Sequence, residues 1–216
     1  MSDPGAPVPL DQLAPAGSAT SGVALSGGFL YAADSAAGLL VFDLADPRHP
    51  RQVAAARTAD AATGVVVRSG MAYVADGYGG LRVFDVTDPL HPTAIGGAGL
   101  DGNSGYFQGV SLSDNHAFVA DVVNGLHVID IREPAGPRPE GSLDLDGSSA
   151  DLAVSASQVL VAAGEPGLRR IDITDPGAPL QVETLDTTGT ARGVTVSDGA
   201  AFFSPGPAGL RIIELL

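Results

Sequence analysis

Apolar and polar residues alternate along this chain in short runs, and the runs return on a fixed period. The phrase "GLRVFDVTDP" at Gly80–Pro89 has near copies in "GLLVFDLADP" from Gly38, "GLHVIDIREP" from Gly125 and "GLRRIDITDP" from Gly167, and a partial one in "GLRIIELL", Gly209–Leu216. The steps between them are 42, 45, 42 and 42 residues. A second column keeps the same steps: "GVALS" at Gly22, "GVVVR" at Gly64, "GVSLS" at Gly109, "DLAVS" at Asp151 and "GVTVS" at Gly193. A period of this length marks an array of supersecondary units, each burying its apolar face against the next.

Each unit predicts four short antiparallel strands. The "GVxVS" stretch is the first. A two-residue turn follows: Gly27-Gly28, Ser69-Gly70, Asp114-Asn115, Ala156-Ser157 or Asp198-Gly199, several of them residues that tolerate positive φ. The second strand carries a bulky column, Tyr31, Tyr73, Phe118, Leu160 and Phe202. The "GLxVxD" phrase is the third, and an Asp-Pro or Glu-Pro turn leads into a fourth such as "PRQVAAA" from Pro50. No apolar period of 3.6 persists, so helix is expected to be nearly absent.

Four strands per unit and about forty residues per period predict a five-bladed β-propeller. The fifth unit lacks its fourth strand, while "VPLDQLAPA", Val8–Ala16, precedes the first repeat as a surplus segment. Pairing of 8–16 with 209–216 would close the ring and remove the exposed edges, which favours a monomer. Residues 1–7 are then a flexible N-terminus and 8–216 one propeller domain.

The phrases "GLRVFDVTDPLHP" and "GLRRIDITDPGAP", each following a segment like Tyr73–Asp76, resemble LVIVD-type repeats. The resemblance covers Val8–Leu216 and implies a propeller. It implies little about activity, because such proteins are often secreted or on the surface and mostly lack an assigned reaction.

Composition narrows the partners. The formal net charge is -14, Asp outnumbers Glu twenty to five, and all eleven basic residues are Arg. Such a surface repels phosphate backbones, so nucleic acid is not an expected partner. It attracts Ca²⁺ or cationic ligands, or simply keeps the protein soluble. The lysine-free, Ala- and Gly-rich sequence also suits a GC-rich bacterial genome. There are no cysteines, no apolar run long enough for a membrane span, and no basic and apolar leader in "MSDPGAPVPL". The sequence as it stands reads as cytoplasmic, or as secreted or surface-bound if a signal has been removed.

Residues that recur in every unit serve every unit, so departures from the pattern are the better functional candidates. Asp43, Asp85, Asp130, Asp172 and Glu214 recur at the third-strand end, and Asp46, Asp88, Glu133 and Asp175 precede prolines; all are expected to serve turns. His49 and His91 occupy equivalent turn positions. Asp34, Asp76 and Asp121 end the second strand in units one to three only, with Ala163 and Pro205 in the others. Their turn opens on the face that also gathers Ser21, Thr63, Gln108, Ala150 and Arg192, and Asp151 replaces a glycine there.

The three-residue excess lies within Leu100–Gln108, on the same face, and that segment brings Tyr106 and Phe107. These are expected either as an aromatic platform for a sugar or flat ligand, or tucked back as local core. Arg170 stands where other units have Val or Ile, so it needs an acid, with Asp151 one candidate, or else recognises an anion.

Three functions fit these residues. The first is a non-enzymatic binding module for a small molecule, glycan or protein, with Tyr106, Phe107, Gln108, Asp151 and Arg192 as ligand contacts. It accommodates the lack of any G-x-S-x-G, P-loop, paired-histidine or dinucleotide motif in suitable context. The second is a hydrolase or lyase acting on a carbohydrate or small molecule, with axial carboxylates as acid and base. The third assigns Asp34, Asp76 and Asp121 to Ca²⁺, structural or ligand-bridging, within either of the others.

Overall fold

The computed structural model describes residues 9, 19–99, 105–165, 167–186, 189–206 and 209–215. Every regular element it contains there is a β-strand, and the strands form five antiparallel meanders in chain order. Blade 1 comprises β1 (Thr20–Ser26), β2 (Phe29–Asp34), β3 (Gly38–Asp43) and β4 (Arg51–Ala56). Blade 2 follows as β5 (Gly64–Arg68), β6 (Met71–Ala75), β7 (Leu81–Asp85) and β8 (Thr93–Ala98). Blade 3 is β9 (Phe107–Ser113), β10 (His116–Asp121), β11 (Gly125–Asp130) and β12 (Arg138–Leu143). Blade 4 is β13 (Asp151–Ser155), β14 (Gln158–Ala162), β15 (Leu168–Asp172) and β16 (Leu180–Leu185). Blade 5 has β17 (Gly193–Ser197), β18 (Ala200–Ser204) and β19 (Arg211–Glu214). The expected fourth strand of blade 5, residues 8–16, lies outside the described residues apart from Pro9.

The hairpin turns follow their residue types. Gly27-Gly28, Ser69-Gly70 and Asp198-Gly199 have positive φ at both positions, as a type I′ turn requires. In the other two hairpins only the first residue is positive, Asp114 at 45° and Ala156 at 49°. Blades 1 to 4 also share a feature that the sequence did not announce. The pairing of third and fourth strands slips by one residue beside Val41, Val83, Val128 and Arg170, which bulges Val53, Ile95, Glu140 and Val182 out of register. A bulge at the same place in each blade increases its twist.

The core lies between blades. Tyr31, Val41, Val65, Val74 and Phe84 join blades 1 and 2, and Phe118, Val128, Leu152, Val161 and Ile171 join blades 3 and 4. At the axis the first strands β1, β5, β9, β13 and β17 pack on one another in sequence. Outward, a methyl group at Gly141 would lie 2.3 Å from the Pro176 carbonyl, so the Asp-Pro turn of one blade rests on the bulged strand of the last. In blade 4 the corresponding place holds Glu183, paired to Arg170 at 2.8 Å. Arg170 therefore finds its acid across the β15–β16 ladder and not in Asp151. Where blades 1 to 3 have Ala54, Gly96 and Gly141, blade 4 has a cross-strand ion pair.

The third-strand glycines show why the "GL" opening is invariant within the chain. Gly125 has a φ of 85°, and a methyl there would lie 2.5 Å from the Leu143 carbonyl oxygen and 2.6 Å from the Leu145 amide. Gly199 has a φ of 74° with nothing within 4 Å of a methyl. Gly125→Ala is therefore expected to cost about 3 kcal/mol and Gly199→Ala about 1 kcal/mol, read from urea unfolding midpoints at constant slope. Equal costs would mean that backbone conformation alone, and not the close approach, demands glycine at 125.

Candidate functional site

The recurring carboxylates are occupied by their own turns. Asp43, Asp85, Asp130 and Asp172 each accept the amide of the second residue on, at 2.8 to 2.9 Å. Asp46 accepts the Arg48 amide and meets Nδ1 of His49 at 2.8 Å, and Asp88 does the same with Leu90 and His91. These hydrogen bonds hold both the Asp46 and Asp88 carboxyls below their ordinary pKa, the histidine bond first and the amide second.

Asp34, Asp76 and Asp121 are fully buried and also turned inward. Asp34 accepts the amides of Ala36 and Ala37 at 3.1 and 2.8 Å. Asp76 reaches across the blade entrance to the amides of Ala59 and Asp60, and Nε of Arg82 lies 3.5 Å from it. Asp121 accepts from the amides of Tyr106, Val123 and Asn124, the Asn124 side chain, and Nε2 of His127 at 2.9 Å. Burial pushes the Asp121 carboxyl up. The bonds from His127, Asn124, Val123 and Tyr106 outweigh that effect and hold it well below the usual carboxylate range. These three acids do not converge. Each is engaged within its own blade, by its turn or by the entering loop, and no group of three or more metal-ligating side chains occurs among the described residues.

The entrance residues do converge. Ser21, Thr63, Gln108, Ala150 and Arg192, one from each blade, line a single cavity of about 370 Å³ at the axis, together with Asp151. Thr63 Oγ1 is committed to the carbonyls of Ala75 and Phe107, at 3.1 and 2.9 Å, and so ties blade 2 to blade 3. Asp151 is half-buried and accepts the Leu152 amide at 2.9 Å and the Val194 amide of blade 5 at 3.0 Å. Burial raises its carboxyl pKa, with those two amides opposing the rise. Arg192 is exposed, and the ion pairs among the described residues all lie elsewhere. Of the four acids considered for paired acid–base chemistry, Asp151 alone lines this cavity.

The aromatic pair is rearranged. Phe107 is 1% exposed, in the core between blades 2 and 3, with its ring stacked on His127 at 5.3 Å. It fills the local core and offers no face to a ligand. Tyr106 instead meets Tyr78 edge-on, centroids 5.0 Å apart, and Tyr78 is 71% exposed. Tyr78 escaped the sequence reading because its Gly-rich turn has the same length as the turn in other units. The signal was present in its uniqueness: no other second-to-third turn carries an aromatic.

Five meandering sheets stacked about an axial cavity define a propeller-like repeat fold. The LVIVD repeat model matches residues 16–58, 60–97, 104–144 and 146–187, so the chain belongs to the LVIVD repeat family. The fifth unit, from Gly193, repeats the hairpin topology beyond the last match. Among solved structures, the chain is similar to the computationally designed Ika8 protein (TM-score 0.72, 10% identity, 91% of this chain and 58% of that one). It is also similar to U3-55K (0.70, 14% identity, 91% and 68%) and to a chain of a nidogen/laminin complex (0.66, 14% identity, 91% and 76%). At these identities the likeness is one of fold. No curated protein matches the sequence.

Asp121→Ala is expected to cost about 3–5 kcal/mol near neutral pH, because it strands a buried imidazole and several amides. Since the folded-state pKa of Asp121 is depressed, its contribution is complete above about pH 5 and is lost as pH falls through the range below about 4. Urea unfolding from pH 7 to pH 3 should therefore show a shallower acid loss in the variant. Parallel pH profiles would remove Asp121 from the acid sensitivity of the fold.

Proposed function

We propose that this protein is a non-enzymatic binding module whose axial cavity takes a small polar ligand. One observation carries the reading: one entrance residue from every blade lines the same cavity, and these include an acid and an arginine that lie outside the ion pairs found elsewhere. A guanidinium favours an anionic group, and a half-buried carboxylate favours a donor or a cation. A zwitterion such as a free amino acid supplies both. The glycines beside them, Gly22, Gly64 and Gly109, leave the cavity floor to backbone. Paired-carboxylate catalysis fits less well, because a single carboxylate faces this space.

Binding to the folded state raises its unfolding temperature. Thermal unfolding with glycine, glutamate and arginine, and with glucose as a neutral control, is expected to give a saturable rise with at least one amino acid. Arg192→Ala, at an exposed position, should abolish the response and leave the unliganded midpoint nearly unchanged. Asp151→Asn, which keeps one acceptor, should weaken it at least tenfold. A flat response to all three amino acids, or a response that survives Arg192→Ala, would sink the proposal.

A further inference from the structure

Blades 2 and 4 can be compared residue by residue, because the steps from Gly80 to Gly167 and from Gly64 to Asp151 are both 87 residues. In blade 2, Asp76 binds the amides of Ala59 and Asp60 at 2.9 and 3.1 Å, with the Arg82 guanidinium 3.5 Å away. Blade 4 retains the surroundings. Arg169 stands at the position of Arg82, and Asp146 and Gly147 supply the two amide positions. The acid alone is missing, for Ala163 stands where Asp76 does.

The two guanidiniums follow the same lane. A methyl group at Gly97 would lie 3.3 Å from Cδ and 3.4 Å from Nη1 of Arg82. Thr184 occupies the place of Gly97 in blade 4, and Nη1 of Arg169 donates to its hydroxyl. Arg169 is only 9% exposed, and its Nε is buried without a hydrogen-bond partner, as is that of Arg82. Arg82 has the Asp76 carboxylate 3.5 Å away, but Arg169 is in none of the ion pairs among the described residues. The Ser149 hydroxyl, fully buried at the position of Ala62, is also without a partner. A guanidinium buried without a counter-ion and a hydroxyl buried without a partner are costly, and an arriving anion would answer both. Gly147, one of the two amide positions, also lines a cavity of about 660 Å³ with Ser148, Gly164, Glu165 and Thr190.

We propose that blade 4 holds a second binding site, for a small monocarboxylate whose carboxyl group takes the place that Asp76 fills in blade 2. Arg169 is its counter-ion and Ser149 a hydrogen-bond donor. Glu165 at the rim disfavours a second negative charge, so monocarboxylates bind better than dicarboxylates. The site is separate from the axial cavity, whose lining includes none of these residues.

The test is thermal unfolding in sodium acetate against sodium chloride at equal ionic strength, with succinate as the dianion. Acetate at ten times its dissociation constant should raise the midpoint by roughly 3–5 °C, saturably, and succinate by less. Arg169→Gln should abolish the acetate response. Ala163→Asp, which supplies the carboxylate covalently, should raise the midpoint without acetate and remove the response. Arg192→Ala should leave the response intact, which separates this site from the axial one. No gain of acetate over chloride in the native protein, or a gain that survives Arg169→Gln, would overturn the proposal. So would a destabilised Ala163→Asp, because the slot would then be filled by the neighbouring Leu145.

Discussion

The whole architecture depends on how closely the innermost strands approach at the axis. A methyl group at Gly22 would lie 2.9 Å from the Gly64 Cα, one at Gly64 2.7 Å from the Gln108 carbonyl, and one at Gly109 3.1 Å from the Asp151 Cα. Each contact is with backbone, which cannot swing aside as a side chain can. Glycine at these three places lets successive blades meet, and their meeting turns the one-sided apolar faces of single blades into a continuous core. Between blades 4 and 5 the equivalent residue is Asp151, and its carboxylate bridges to the Val194 amide.

The departures from the repeat concentrate in blade 4. Blade 4 carries the Asp151 bridge, the Arg170–Glu183 pair in place of an aliphatic and a small residue, and Ala163 in place of an aspartate. Blades 2 and 3 instead close their entrances by setting an acid against a nitrogen-bearing side chain, Asp76 with Arg82 and Asp121 with His127. The seam around blade 4 thus uses polar groups where the others use packing or a buried pair. Polar groups near an opening can exchange protein partners for ligand partners at little cost, whereas the pairs of blades 2 and 3, whose acids are fully buried, cannot.

The same chemistry explains why aspartate is abundant without being catalytic. A carboxylate after a strand end captures amides that the turn would otherwise leave unpaired, and the chain uses this device at both ends of its blades. Read as letters, Asp76 and Asp151 look equally available. In space the first is fully buried among donors and the second faces a cavity. Composition supplies the acid, and only its neighbours decide whether any lone pair is left for a ligand.

The sequence by itself determined the strands, their hairpin turns, their period and the gathering of Ser21, Thr63, Gln108, Asp151 and Arg192 at one end of the axis. Those properties are local or periodic: alternation sets the faces, positive-φ residues set the turns, and the repeat carries equivalent positions to equivalent places. Tertiary structure alone decided that Phe107 is core, that Tyr78 joins Tyr106, that Arg170 pairs with Glu183, and that Nε of Arg169 and the Ser149 hydroxyl are buried without partners. Each of those outcomes depends on distances between strands or blades far apart in the chain. A one-residue bulge changes them, and it leaves no mark in the pattern of apolar and polar residues.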